Sequence, residues 1–83
     1  MRAMKVEDID YEIKKLKWKI EDLEWEIRES ERLMDIEPEN AHIYYREIQK
    51  YEKEIEKLRK EIIRLKELKR RKTMGIPLTE YMR

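Results

Sequence analysis

The apolar residues of this chain fall into two series, each stepping alternately by three and four positions, with one break between them. The first runs Val6, Ile9, Ile13, Leu16, Ile20, Leu23 and Ile27, then Ser30 and Met34. The second runs Ala41, Tyr44, Ile48, Tyr51, Ile55, Leu58, Ile62 and Leu65. Such steps hold a stripe on one side of an α-helix and define a heptad, here with Ile mainly at a and Leu at d. The interruption, Asp35-Ile36-Glu37-Pro38-Glu39-Asn40, centres on a proline, which a helix tolerates in its first turn and not in its interior. The spacing therefore predicts a helix over 6–34, a turn over 35–38 and a second helix over 38–72. Residues 1–5 are expected to be disordered and 73–83 to form a separate C-terminal tail, because Gly75 and Pro77 are helix-stop signals.

A short connection between two helices favours antiparallel neighbours. The expected fold is all-α, an antiparallel two-helix hairpin of coiled-coil type. Two registers compete. One faces Ile27 with Tyr44, Ile20 with Tyr51, Ile13 with Leu58 and Val6 with Leu65, and every layer except Ser30/Ala41 is apolar. A slip of one heptad sets Ile9 against Lys69 and Val6 against Lys72. Exposed ion pairs contribute only tenths of a kcal/mol, so the apolar layers decide, and they favour the first register. The arms also differ in sign. Residues 7–37 hold twelve acidic and six basic residues, whereas residues 38–83 hold eight acidic and thirteen basic ones.

Of the 83 residues, 49% are charged, yet the net charge is only +1. So much charge would suit a disordered chain, but the phased apolar stripes argue for helices. With no cysteine, one histidine and one glycine, the sequence lacks the material for a disulfide scaffold, a thiol nucleophile, a zinc finger or a phosphate-binding glycine loop. The longest run of aliphatic residues is Ile62-Ile63, far short of the ~20 that cross a bilayer. The expectation is a cytoplasmic protein with no leader peptide, no membrane partner and no cofactor. Glu39 and His42 match the Glu-x-x-His spacing of di-iron bundles, but Ala41 takes the seam position between them, leaving both outside. Paired carboxylates are abundant only on faces expected to be solvated. An enzyme is not expected.

Two faces attract attention instead. Tyr11, Trp18 and Trp25 recur every seven residues at heptad position f, opposite the seam of the first helix. A row of large aromatics on an outer face marks an interface. Its alternative is that the rings lie on neighbouring lysine stems. Tyr45 and Ile63 also lie off the seam, eighteen residues apart and so on one side of the second helix. Because a single seam buries each residue on one side only, the hairpin alone is marginal, and pairing into a four-helix assembly, most simply a twofold dimer, is expected. Ile76, Leu78 and Tyr81 of the tail complete the expected protein-contact residues. The second face is cationic: Arg46, Lys50, Lys53, Lys57, Lys60, Arg64 and Arg71 form a ladder at positions f and c of the second helix. Lys66, Lys69, Arg70, Arg71 and Lys72 are expected to project beyond the matched seam as a basic overhang. The sequence thus points to a non-enzymatic coiled-coil binding protein, an adaptor, regulator or inhibitor working through protein contacts. The alternative is a nucleic-acid-binding module using the ladder and overhang.

Overall fold

The computed structural model describes residues 5–81, with side chains described up to Thr73. Two helices, α1 (Val6–Ile36) and α2 (Ala41–Tyr81), pack against each other as an antiparallel hairpin, joined through a single 3₁₀ turn at Pro38–Asn40. Among the described residues there is no strand, and no helix is long and apolar enough to cross a membrane.

α1 starts where Glu7 and Asp8 place negative charge in the first turn, against the partial positive charge of the exposed N–H groups. The Lys5 backbone N–H also donates to Asp8 Oδ2 at 3.3 Å. The helix continues two residues beyond the expected end at 34, to Ile36. It stops at Glu37 (φ −124°, ψ 72°), because the residue before a proline is pushed out of the helical region. The 3₁₀ turn then occupies the position expected for the first turn of α2. Its geometry is clamped by one carboxylate: Glu37 Oε1 accepts from Asn40 Nδ2 at 3.0 Å and from the Tyr44 hydroxyl at 3.2 Å. The Glu37 and Asn40 backbone N–H groups donate to Leu33 and Glu37 carbonyls at 2.7 and 2.9 Å.

The helical assignment of α2 runs to Tyr81, whereas the sequence predicts a stop after Lys72. Thr73 is still helical, and its hydroxyl donates back to the Lys69 carbonyl, one turn earlier. The expected contacts of Ile76, Leu78 and Tyr81, and the expected disorder of residues 1–4, fall outside the described residues and side chains, whereas Lys5, expected to be disordered with them, is placed as the residue that caps α1.

The seam contains the residues that the spacing selects. Ile9, Ile13, Ile20, Ile55, Leu58, Ile62 and Leu65 form one buried cluster, with Leu16, Leu23, Ile27 and Leu68 packed against it. Ile48 and Ser30 are also buried. The register, however, is the one-heptad slip that the sequence argument disfavours. Lys69 Nζ lies 2.7 Å from Asp10 Oδ1, and Arg59 Nη2 lies 3.3 Å from Glu24 Oε2. In the favoured register Asp10 would pair with Arg59, leaving Lys69 about 15 Å further along the axis at 1.5 Å per residue. Leu23 and Leu58 line one surface depression together, and Ile27 and Ile55 another, which the favoured register also forbids. These contacts set Ile13 opposite Leu65, Ile20 opposite Leu58, Ile27 opposite Tyr51 and Ser30 opposite Ile48.

Two causes explain the difference. A bend confined to Glu37–Asn40 makes the last residues of α1 face the first residues of α2, so the bend, not the tally of layers, places the register. The penalty expected for Ile9 beside Lys69 is also absent. Lys69 is half-buried and carries its ammonium out to Asp10, as a long amphipathic side chain can, while Leu68 packs on the core. Ile9 ends up wholly buried, at 0% exposure.

Candidate functional site

The heptad phase that turns Ile13, Ile20 and Ile27 toward α2 turns position f of α1 directly away from it. Tyr11, Trp18 and Trp25 accordingly remain 56%, 49% and 53% exposed. Two rings carry a lysine one turn away: Lys15 Nζ lies 5.0 Å from the Tyr11 ring centre and Lys14 Nζ 5.4 Å from that of Trp18. The alternative of rings sheltered by lysine stems is thus partly realised. Cation–π contact contributes about 0.5–1 kcal/mol at exposed sites, and it leaves half of each ring open to water. Among the described residues no cation lies over Trp25. The charged positions bordering the row are strongly ordered by sign. Lys14 and Lys15 precede Trp18, and Glu21 and Asp22 follow it. Lys15 also reaches Glu12 at 3.1 Å, while Lys14, Glu21 and Asp22 form no ion pair among the described residues.

Tyr45 and Ile63, at heptad positions e and b of α2, are both exposed and lie on the flank of the hairpin, away from the aromatic row. The structure does not join them to Tyr11, Trp18 and Trp25 in one continuous patch. Ile36 and Ile43 are exposed as well, beside the turn, and the sequence argument overlooked them. The available signal was their phase: each lies two positions past a seam residue, Met34 and Ala41, at position c.

On the opposite edge of the molecule, Arg46, Lys50, Lys53, Lys57, Lys60, Arg64 and Arg71 are all exposed, as the phase requires. Lys60 pairs with Glu56 at 3.3 Å and Arg64 with Glu61 at 2.5 Å. Arg46, Lys50, Lys53, Lys57 and Arg71 have no carboxylate within 4.0 Å among the described residues, and the first four form a continuous unneutralised stretch of the ladder. The expected basic overhang is shortened by the slipped register, because the seam now extends to Leu68. Lys69 is tied to Asp10, and Arg70 lies 3.3 Å from Glu67. Arg71 and Lys72 remain exposed.

Local electrostatics follow the same pattern. Arg32 donates to Glu29 and holds that carboxyl below its ordinary range, and Arg64 does the same to Glu61. Partial burial, then the bond to Glu37, raises the Tyr44 phenol; burial, followed by Glu47 and Glu26, raises Tyr51. These are surface and seam effects of ordinary kind. Among the described residues no three His, Asp or Glu side chains gather as metal ligands. Two shallow depressions, one lined by Glu24, Ile27, Glu52, Ile55 and Arg59 and another by Lys19, Asp22, Leu23, Glu54 and Leu58, are open furrows beside the seam. Comparison with known proteins finds no family, no curated protein and no solved structure that matches the chain.

Proposed function

We propose that this chain is a non-enzymatic binding protein of the cytoplasm, an adaptor, regulator or inhibitor, whose working surface is the outer face of α1. It is read as a homo-oligomer, with a dimer of four helices favoured, that also engages another protein. One observation carries the reading: Tyr11, Trp18 and Trp25 stand in a single row, each about half exposed, on a helix whose other side is already packed. Large aromatics held rigidly by a helix present contact area at little cost in side-chain freedom, and they dominate protein interfaces. The test is photo-crosslinking in the native host, with benzoylphenylalanine at Glu21 beside the row and at Lys53 on the far edge. Discrete protein adducts from Glu21 support the reading, whether to this chain or to another. No protein adduct from Glu21, or adducts from Lys53 alone, overturns it.

The second reading, nucleic-acid binding, is favoured by the continuous unneutralised stretch of Arg46, Lys50, Lys53 and Lys57. Phosphate contacts of this kind release counterions, so duplex affinity should fall steeply with salt. Reversing all four to glutamate should abolish retention on heparin. Unchanged retention removes this reading.

A further inference from the structure

The proposal that α1's outer face is a contact surface leaves its occupant open, and the charges around the row identify one. We infer that the occupant is a second copy of this chain, bound with the two α1 helices antiparallel about a twofold axis through Trp18. This inference rests on the reading above.

Position f of α1 is bordered on one flank by position b and on the other by position c. Lys14 and Glu21 hold the b flank, and Lys15 and Asp22 the c flank. In an antiparallel pair related by a twofold axis, each flank meets the same flank of the other copy running in the opposite direction. With the axis at Trp18, Lys14 meets the partner's Glu21 and Lys15 meets the partner's Asp22, and the symmetry doubles both pairs. Tyr11 lies against the partner's Trp25, and Trp18 against the partner's Trp18. One step outward, Glu7 meets the partner's Arg28, which is attractive, and Asp8 meets the partner's Glu29, which is not. Arg32, bonded to Glu29 at 2.8 Å, screens that last pair.

A parallel arrangement fails the same test. There the b flank meets the c flank, so Lys14 would face the partner's Lys15, and Glu21 the partner's Asp22. Every central pair becomes repulsive. The sequence is therefore self-complementary in one orientation only, and the groups that would supply the complement are largely unsatisfied within the chain. Lys14, Glu21, Asp22 and Arg28 form no ion pair among the described residues.

The size of the contact sets its strength. A large aromatic side chain buries about 150–250 Å², so six half-exposed rings in a dimer offer about 600 Å². The stems of the eight flanking charged residues, four from each copy, add to this, but the total stays at the lower end for a specific interface, about 1,200 Å². A dissociation constant in the micromolar range follows, together with a flat four-helix layer in which both α1 helices are central and both α2 helices are outer.

The test is sedimentation equilibrium of the full chain from about 10 μM to 1 mM. The wild type should pass from monomer to dimer mass, with Trp emission shifting to shorter wavelength. K14E/K15E and E21K/D22K should each weaken the dimer by about tenfold or more, at unchanged helicity, since like charges then meet. An equimolar mixture of the two variants, and the single chain carrying all four changes, should both recover the dimer. A monomer at 1 mM overturns the inference, while protein adducts to another chain from Glu21 would still uphold the wider reading. Dimers indifferent to the charge changes overturn it too. So do failure of the single chain with all four changes to recover the dimer, and mass that grows without limit, which signals head-to-tail stacking of α1 on α2.

Discussion

Replacing Leu68 by alanine tests the register of the hairpin directly. In the observed register Leu68 packs on the buried cluster at the end of the seam. One heptad away it would face position 3, before the start of α1, and would touch little. Leucine-to-alanine changes in full cores cost about 2.7–5 kcal/mol; at a half-buried seam end the expected loss is about 1–2 kcal/mol. For a chain of this size each kcal/mol moves the melting temperature by about 4–8 °C, so Leu68→Ala should melt about 4–16 °C below the parent. Ile63→Ala, at an exposed position, serves as the comparison and should stay within about 0.5 kcal/mol. Ile9→Ala, at the one wholly buried large side chain among the described residues, should cost more than Leu68→Ala, about 3 kcal/mol. The assay is urea and thermal unfolding followed by helical circular dichroism at one fixed protein concentration, because self-association would otherwise add to apparent stability. A Leu68→Ala protein as stable as Ile63→Ala would refute the register.

Other predictions concern the turn and the titrating groups. Glu37→Ala removes the acceptor shared by Asn40 and Tyr44 and should cost about 1 kcal/mol in the same unfolding assay, with Tyr44 ionising at lower pH than before. Tyr44 and Tyr51 have folded-state pKa values raised above the ordinary phenol value. Their contribution to stability is therefore intact below about pH 10 and lost as pH rises through the folded values. Phenolate absorbance should show a late component that Tyr51→Phe diminishes. Glu29 and Glu61 have lowered values, so their contribution is present above the ordinary carboxylate pKa near 4.5 and disappears as pH falls through the folded values. Glu61→Gln should reduce the loss of melting temperature between neutral and acid solution, and an unchanged loss would show that Arg64 gives no stabilisation there.

Much of the molecule was legible in the spacing alone. Ile13, Ile20, Ile55, Leu58 and Ile62 are buried because a strict alternation of three and four steps leaves them one common side, and Trp18 and Trp25 are exposed by the same phase. The register was not legible from layer counting. A slip of seven residues preserves the phase of every seam position, so two arrangements differ only at their ends, and there Lys69 was counted as a lost layer. The position of the bend supplies what the layers lack, and it is encoded by Glu37-Pro38 through a local backbone restriction. The function of the outer faces was legible only as placement. Residues at f and c report which way they point, whereas the chemistry of an occupant depends on charge order along the face, as with Lys14, Lys15, Glu21 and Asp22.

The brevity of the bend also governs which insertions and deletions this chain can survive. Adding or removing one residue within α1 rotates everything upstream by about 100° and swings Ile13 or Ile20 into water. Removing seven rotates it by only about 20°. A deletion of seven between Ile27 and Glu37 would bring Ile20 opposite Tyr51 and Ile13 opposite Leu58, all apolar pairs. Length variation near the bend is therefore quantised in whole heptads, and related chains that differ there should differ by seven.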